Sequence, residues 1–271
     1  IKGPITPLIP LIVVVILGVR EWSLGWLKPL RTGLGLLIVA AIALPWLVAI
    51  YLKSGGAFFT ESVGKDMMGK VGGVAEKHWG PPGAYFLSFW GTFWPAAPLT
   101  VVTSWFVWKE RGNDAVAFLL AWTLPMWVVL EFLPTKLPHY ILPLLPAIAI
   151  LTVLAFERST ASEARWRYVV GALLMMLIPV GLLVGAPAAF WKLDGALPLS
   201  AMPLLGLAVV IAAFAARALL NGKMKAAAVY GIIAALPLPV AGFRFGMPEL
   251  QSINLSRRLA DVVRAEGCKA P

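Results

Sequence analysis

Apolar residues in this chain run in blocks of about twenty, separated by short charged or Pro/Gly-rich breaks. A helix rising about 1.5 Å per residue needs that length to cross about 30 Å of hydrocarbon. Inside a bilayer the backbone has no water to bond to, so repeated blocks of this kind pack as a polytopic helical bundle, an all-α fold. Composition agrees: 60% of the 271 residues are hydrophobic and 13% are charged, roughly half the charged share of a soluble domain. The pattern predicts about eight spans, near Pro4–Gly18, Leu34–Leu52, Ala84–Val107, Ala115–Phe132, Tyr140–Phe156, Tyr168–Ala186, Leu197–Ala216 and Ala226–Ala241. The first is short, and the chain opens at Ile1 almost inside it, so further sequence is expected upstream.

The formal net charge is +10, but the placement of the cations argues against a nucleic-acid partner. Alternate short connections carry Arg20, Lys28 and Arg31; Lys109 and Arg111; Arg158, Arg165 and Arg167; and Arg217, Lys223 and Lys225. The short loops between them hold only Lys136 and Lys192. Cations concentrate on the cytoplasmic side of short loops, so the 53–83 loop, the 133–139 turn, the 187–196 loop and the C-terminal tail are predicted to face outward. The single cysteine, Cys268, excludes an internal disulfide, and two histidines alone cannot build a four-ligand zinc site.

Two outward segments exceed what a minimal bundle needs. The first, residues 51–86, puts about thirty residues where two to eight connect neighbouring helices. Within it Phe59, Val63, Met67 and Val71 fall four apart, the spacing of an interfacial helix with its apolar face on the membrane. The Gly/Pro-rich stretch after it turns Glu76, Lys77 and His78 toward the next span. The second segment is the tail, where Leu255, Leu259, Val262 and Val263 mark a helical stripe. Residues 1–242 therefore read as a transmembrane region and 243–271 as the start of an outward soluble segment, expected to continue beyond Pro271.

The polar residues that stand out are in TKLPHYILPLLP, residues 135–146, where Lys136, His139 and Tyr140 gather between two prolines at the opening of a span. Each alone is ordinary at a membrane boundary: lysine snorkels, tyrosine belongs to the aromatic belt, and proline starts helices. Together they place a cation and two hydrogen-bonding groups at one depth, an arrangement that suits a lipid-borne phosphate. Glu61 with His78 is a weak candidate pair for a divalent cation, and an ordinary ion pair is the competing reading. Tyr85 and Tyr140 either orient a ligand or anchor helices. Trp79 can stack on a sugar, whereas the other tryptophans read as packing or belt residues.

KLPHYILPLLPAIAIL is similar to the lysine, proline, tyrosine and proline pattern opening a late transmembrane helix in the aminoarabinose transferase and protein O-mannosyltransferase group, family 39 of the GT-C membrane glycosyltransferases. KGPITPLIP, residues 2–10, resembles the Lys-Gly-Pro start of another of their helices, and FFTESVGKDMMGKVGGVAEKHWGPPGAYF resembles their long outward loop. The resemblance covers residues 1–158 and extends to the later spans only in hydropathy; SRRLADVVRAEGC resembles the start of an outward domain found in some bacterial members. It implies a GT-C-like fold and transfer of a sugar from a polyprenyl-phosphate donor to a lipid A-like, glycan or protein acceptor, on the periplasmic face of the bacterial inner membrane.

On that resemblance Lys2, Lys65, Lys136 and Tyr140 are expected at the donor phosphate, and Glu61, Lys70, His78, Tyr85 and His139 around the substrate. Cations there would stabilise the negative charge that grows on the departing phosphate. The family's aspartate base comes from a loop upstream of the Lys-Gly-Pro helix, so the expectation is that it lies outside this sequence. Asp66 occupies a different loop. No cofactor is expected beyond a possible divalent cation. The rival reading is a transporter or a non-catalytic lipid-binding subunit, with Glu131, near a span end, as the ionisable residue to watch.

Overall fold

The structure is a computed structural model that describes residues 5–61, 80–158, 165–250, 252 and 255–265. Those residues are helical throughout their ordered elements, with no β-strand among them. The helices are α1 (Ile5–Glu21), α2 (Thr32–Ser54), α3 (Ala84–Thr92), α4 (Ala97–Lys109), α5 (Asp114–Phe132), α6 (Leu145–Arg158), α7 (Arg165–Asp194), α8 (Met202–Leu220), α9 (Met224–Ala235) and α10 (Leu255–Ala265). Six helical stretches among the described residues are long and apolar enough to cross a membrane: Thr32–Ser54, Asp114–Phe132, Pro138–Glu157, Arg165–Asp194, Met202–Leu220 and Met224–Glu249. By length and composition these are the helices of a multi-pass membrane protein, all-helical in its described elements.

Eight spans were expected, and the two shortfalls have identifiable causes. Helix α1 is described over 17 residues, Ile5–Glu21, at the lower end of the length that crosses a bilayer. The expected 84–107 span is interrupted between α3 and α4 at 93–96, where Pro95 lacks the N–H that would continue the ladder. The opposite correction applies at Pro187. The sequence pattern places an outward loop over 187–196, yet α7 runs through Pro179 and Pro187 to Asp194. Gly195, at φ +67°, ends the helix and donates its N–H to Trp191 O at 3.0 Å. The proposed interfacial helix around Val63, Met67 and Val71 lies outside the described residues, whereas the tail helix forms at Leu255–Ala265, with Leu259, Val262 and Val263 exposed.

The chain divides into two compact units. The first comprises Ile1–Ser88 and Phe106–Leu154. Here α1 packs along α5: Ile9 joins Met126 and Leu130, while Val13 and Leu17 meet Ala121. Tyr85, Ile141 and Leu144 complete the first of these clusters, and Val116, Leu119, Ala147 and Leu151 form another. Helix α5 starts well because the Asn113 side chain accepts the Ala115 N–H at 3.0 Å and Asp114 adds negative charge to the first turn. By contrast α2 buries none of its side chains, and the all-round apolar surface this leaves is what a helix facing lipid requires.

The second unit comprises Phe89–Trp105 and Ala155–Pro271. Lipid tails are as apolar as leucine, so close packing rather than water exclusion must hold such helices together, and small residues permit it. Helix α8 presents Leu205, Ala208, Ala212, Ala215 and Leu219 buried along one face. At Gly171 on α7 an added Cβ would stand 2.9 Å from Leu219 Cδ2 and 3.2 Å from Pro98 O, so only glycine permits this approach. The Trp94 indole N–H donates to Met175 O at 3.2 Å in the same core.

Candidate functional site

The polar centre of the first unit forms where α5 ends, and Glu131 sits in its middle. Its carboxylate accepts the backbone N–H of Gly83 and that of Phe86, each at 2.8 Å, so it caps the N-terminus of α3 from another helix. A helix start exposes N–H groups without partners and carries partial positive charge, and a carboxylate satisfies both conditions. The Tyr85 N–H at 3.5 Å and the Trp127 indole N–H at 3.3 Å add further contacts. Gly83 is suited to its place in the cap because its φ is +93°, in the region that favours glycine.

Lys136 performs the complementary task. Its ammonium donates to Leu130 O at 2.8 Å and to Glu131 O, two carbonyls of the last turn of α5 that lack helical partners. Cations belong at a helix C-terminus for the same reason that anions belong at the start. The ammonium lies 3.8 Å from Glu131 Oε2 and 5.0 Å from the centre of the Tyr85 ring. Only 8% of the Lys136 side chain and 13% of the Glu131 side chain are exposed. Burial pushes the Lys136 ammonium below its ordinary pKa, and the Glu131 charge and hydrogen bond oppose that shift.

Tyr85 closes the arrangement. Its hydroxyl donates to Leu137 O at 3.2 Å and accepts the Leu137 N–H at 3.1 Å, thereby satisfying both backbone groups of one turn residue. The Gly80 N–H donates to Pro134 O at 3.1 Å, which joins the approach to α3 to the same turn. A Cβ on Gly80 would stand 2.5 Å from Lys136 Cγ and 3.0 Å from its Cβ, so the lysine stem lies directly on that glycine. Beyond the turn, Pro138 opens the 3₁₀ stretch Pro138–Leu144, and the His139 and Tyr140 rings meet edge to face with centroids 5.0 Å apart. Both are half-buried.

Of the residues singled out in the sequence, the structure therefore gathers Tyr85, Lys136, His139 and Tyr140 at one end of α5. Glu61 is exposed at the edge of the described part of the long loop. Lys2, Lys65, Lys70 and His78 lie outside the described residues, as do Asp66 and Trp79. The expectation that Lys136 offers a ready ammonium to a phosphate needs revision in one respect: two carbonyls and a carboxylate already surround it. Glu131 has a part that sequence reasoning did not assign. Two cavities lie away from this cluster. One, of about 400 Å³, is lined by Phe156, Tyr168, Lys223 and Lys225 in the second unit. The other, of about 340 Å³, is lined by Leu17, Arg20, Trp26 and Asp114 in the first.

The cluster and the six membrane-length helices define a class, a multi-pass membrane protein with a buried polar hub at one helix end. Comparison with family models, with curated proteins and with solved structures found no match.

Proposed function

We propose that this chain is the membrane-embedded region of a glycosyltransferase with a GT-C-like architecture. It moves a sugar from a polyprenyl-phosphate donor to a lipid, glycan or protein acceptor at the periplasmic face of a bacterial inner membrane. The observation that carries the reading is the buried Glu131–Lys136 pair, which with Tyr85 locks the KLPHY turn so that Lys136, His139 and Tyr140 share one boundary of a span. In the reaction an acceptor oxygen attacks the anomeric carbon while that carbon's bond to the donor phosphate oxygen breaks; the electron pair leaves on the polyprenyl phosphate, and the acceptor's proton passes to a general base, the role the family resemblance gives to an aspartate. Lys136 supplies positive charge beside that leaving group in a poorly hydrated place, where a charge counts for more than it does in water. His139 and Tyr140 supply hydrogen bonds, and Lys2, Lys65 and Lys70 are the further cations proposed for the donor. Glu61 and His78 remain proposals for the substrate loop.

The transporter reading draws less support. Its strongest residue is Glu131, and that carboxylate is engaged by the backbone N–H groups of Gly83, Tyr85 and Phe86 at the start of α3. A group that must bind and release a passing ion or proton is poorly served by such a cap.

The test uses membranes that contain the full-length protein and radiolabelled sugars on polyprenyl phosphate carriers. Transfer of label to an acceptor, reduced by His139→Ala or Tyr140→Phe with insertion unchanged, is expected. Absence of transfer from every carrier by the inserted wild-type protein would overturn the reading.

A further inference from the structure

Resting on the transferase reading, we propose that Glu131 is a positioning residue for the donor site, its one carboxylate holding the first turn of α3 and the Lys136 ammonium in a single register. Both oxygens are used. Oε2 accepts from Gly83 at 2.8 Å and faces Lys136 Nζ at 3.8 Å, whereas Oε1 accepts from Phe86 at 2.8 Å and from Trp127 at 3.3 Å. Each oxygen therefore needs to be an acceptor, and of the common side chains only a carboxylate offers two. A glutamine of the same shape would turn an NH2 toward a backbone N–H or toward the ammonium. The dependence is specific to charge and acceptor count, not to volume.

The consequences reach the donor end by two routes. Along the first, α3 begins at Ala84, so the cap fixes where Tyr85 starts and hence where its hydroxyl meets Leu137, next to Lys136 in the turn. Along the second, the carboxylate opposes the downward pull of burial on the pKa of the nearly covered ammonium. Among the described residues, the groups that face Lys136 are the Glu131 carboxylate, the carbonyls of Leu130 and Glu131, and the Tyr85 ring, with His139 and Tyr140 following on its own segment. Glu131 is the anion among these, so its loss frees the amine and lowers the pH at which it becomes neutral.

The experiment labels lysines of the full-length protein in membranes with an acetylating reagent over a pH series, with Lys136 acetylation read by peptide mass spectrometry. In the wild-type protein Lys136 is expected to react slowly, and Glu131→Gln is expected to speed that reaction roughly tenfold or more near neutral pH, the scale of removing one partner of a buried pair. Equal Lys136 reactivity in a folded Glu131→Gln protein would overturn the proposal. Should that variant not fold, amide hydrogen exchange in the wild-type protein decides. Slow exchange at Gly83 and Phe86 supports the cap, and exchange at the rate of open loops refutes it. Once transfer is established, Glu131→Gln is expected to raise the donor KM roughly tenfold with a smaller change in kcat, because it displaces a binding charge. An unchanged KM would remove the positioning role while leaving the transferase reading intact. Labelling and exchange need no turnover, so a wild-type protein that transfers nothing overturns the donor assignment alone.

Discussion

Helix α5 begins and ends on ion pairs of opposite construction. At its start Arg20 of α1 reaches Asp114 at 2.9 Å and donates to Gly112 O at 2.8 Å, but the Asp114 side chain is 92% exposed. At its finish Lys136 stands farther from Glu131, at 3.8 Å, with both side chains nearly covered. The shorter contact is the weaker one. Water and salt screen the first pair, and ordering two long side chains offsets much of its attraction, so it contributes below about 1 kcal/mol. The second is worth little as a pair in isolation, because burying two charges costs several kcal/mol. Its weight comes from what surrounds it, namely the start of one helix, the end of another and the turn beyond, all satisfied by the same two side chains.

Substitutions can break this contrast. Glu131→Ala leaves a buried ammonium without its anion and the α3 cap without its acceptor, a loss of about 3–5 kcal/mol. Thermal unfolding in detergent micelles should show it as the largest drop of the set. Tyr85→Phe strips the Leu137 N–H of its partner, whereas Leu137 O keeps the Tyr140 N–H at 3.0 Å, and the change is expected to cost about 1–3 kcal/mol, with faster amide exchange at Leu137. Gly83→Ala forces a side chain to φ +93° where nothing crowds it, so strain alone sets the loss, on the order of 1–2 kcal/mol by the same melt. Asp114→Asn should change stability by less than about 1 kcal/mol, and high salt should erase the difference.

The helices were legible because their signal is local. Blocks of apolar residues near α2, α5, α7 and α8 announce themselves within twenty residues. The break between α3 and α4 was not, since hydropathy treats a proline-bearing stretch such as TFWPAAP, residues 92–98, as merely apolar. The same blindness in reverse placed a loop at Pro187, where the helix continues. Membrane helices tolerate proline when neighbours take up the freed carbonyl, and that depends on packing.

At the site the KLPHY cluster was visible as a concentration of polar groups, but its inner wiring was not. Glu131 meets Gly83 across 48 positions of sequence, and no periodicity links a carboxylate at one helix end to the start of another so distant. Lys136 looked like a cation offered to the membrane surface, whereas its ammonium turns back onto the carbonyls of its own neighbouring helix. A signal was present in hindsight: a lysine four to six residues beyond the last apolar turn is within reach of unpaired helix carbonyls, and a glycine before a short helix often marks a cap.

The most direct measurement is a pair of double-mutant cycles on unfolding in detergent, one for Glu131→Gln with Lys136→Gln and one for Arg20→Gln with Asp114→Asn. A cycle isolates the coupling between two side chains from their separate effects. The prediction is a coupling of about 1 kcal/mol or more for the buried pair, and one near zero for the exposed pair despite its shorter contact. Additive losses at Glu131 and Lys136, or equal couplings at the two ends of α5, would contradict the claim that this pair organises the site.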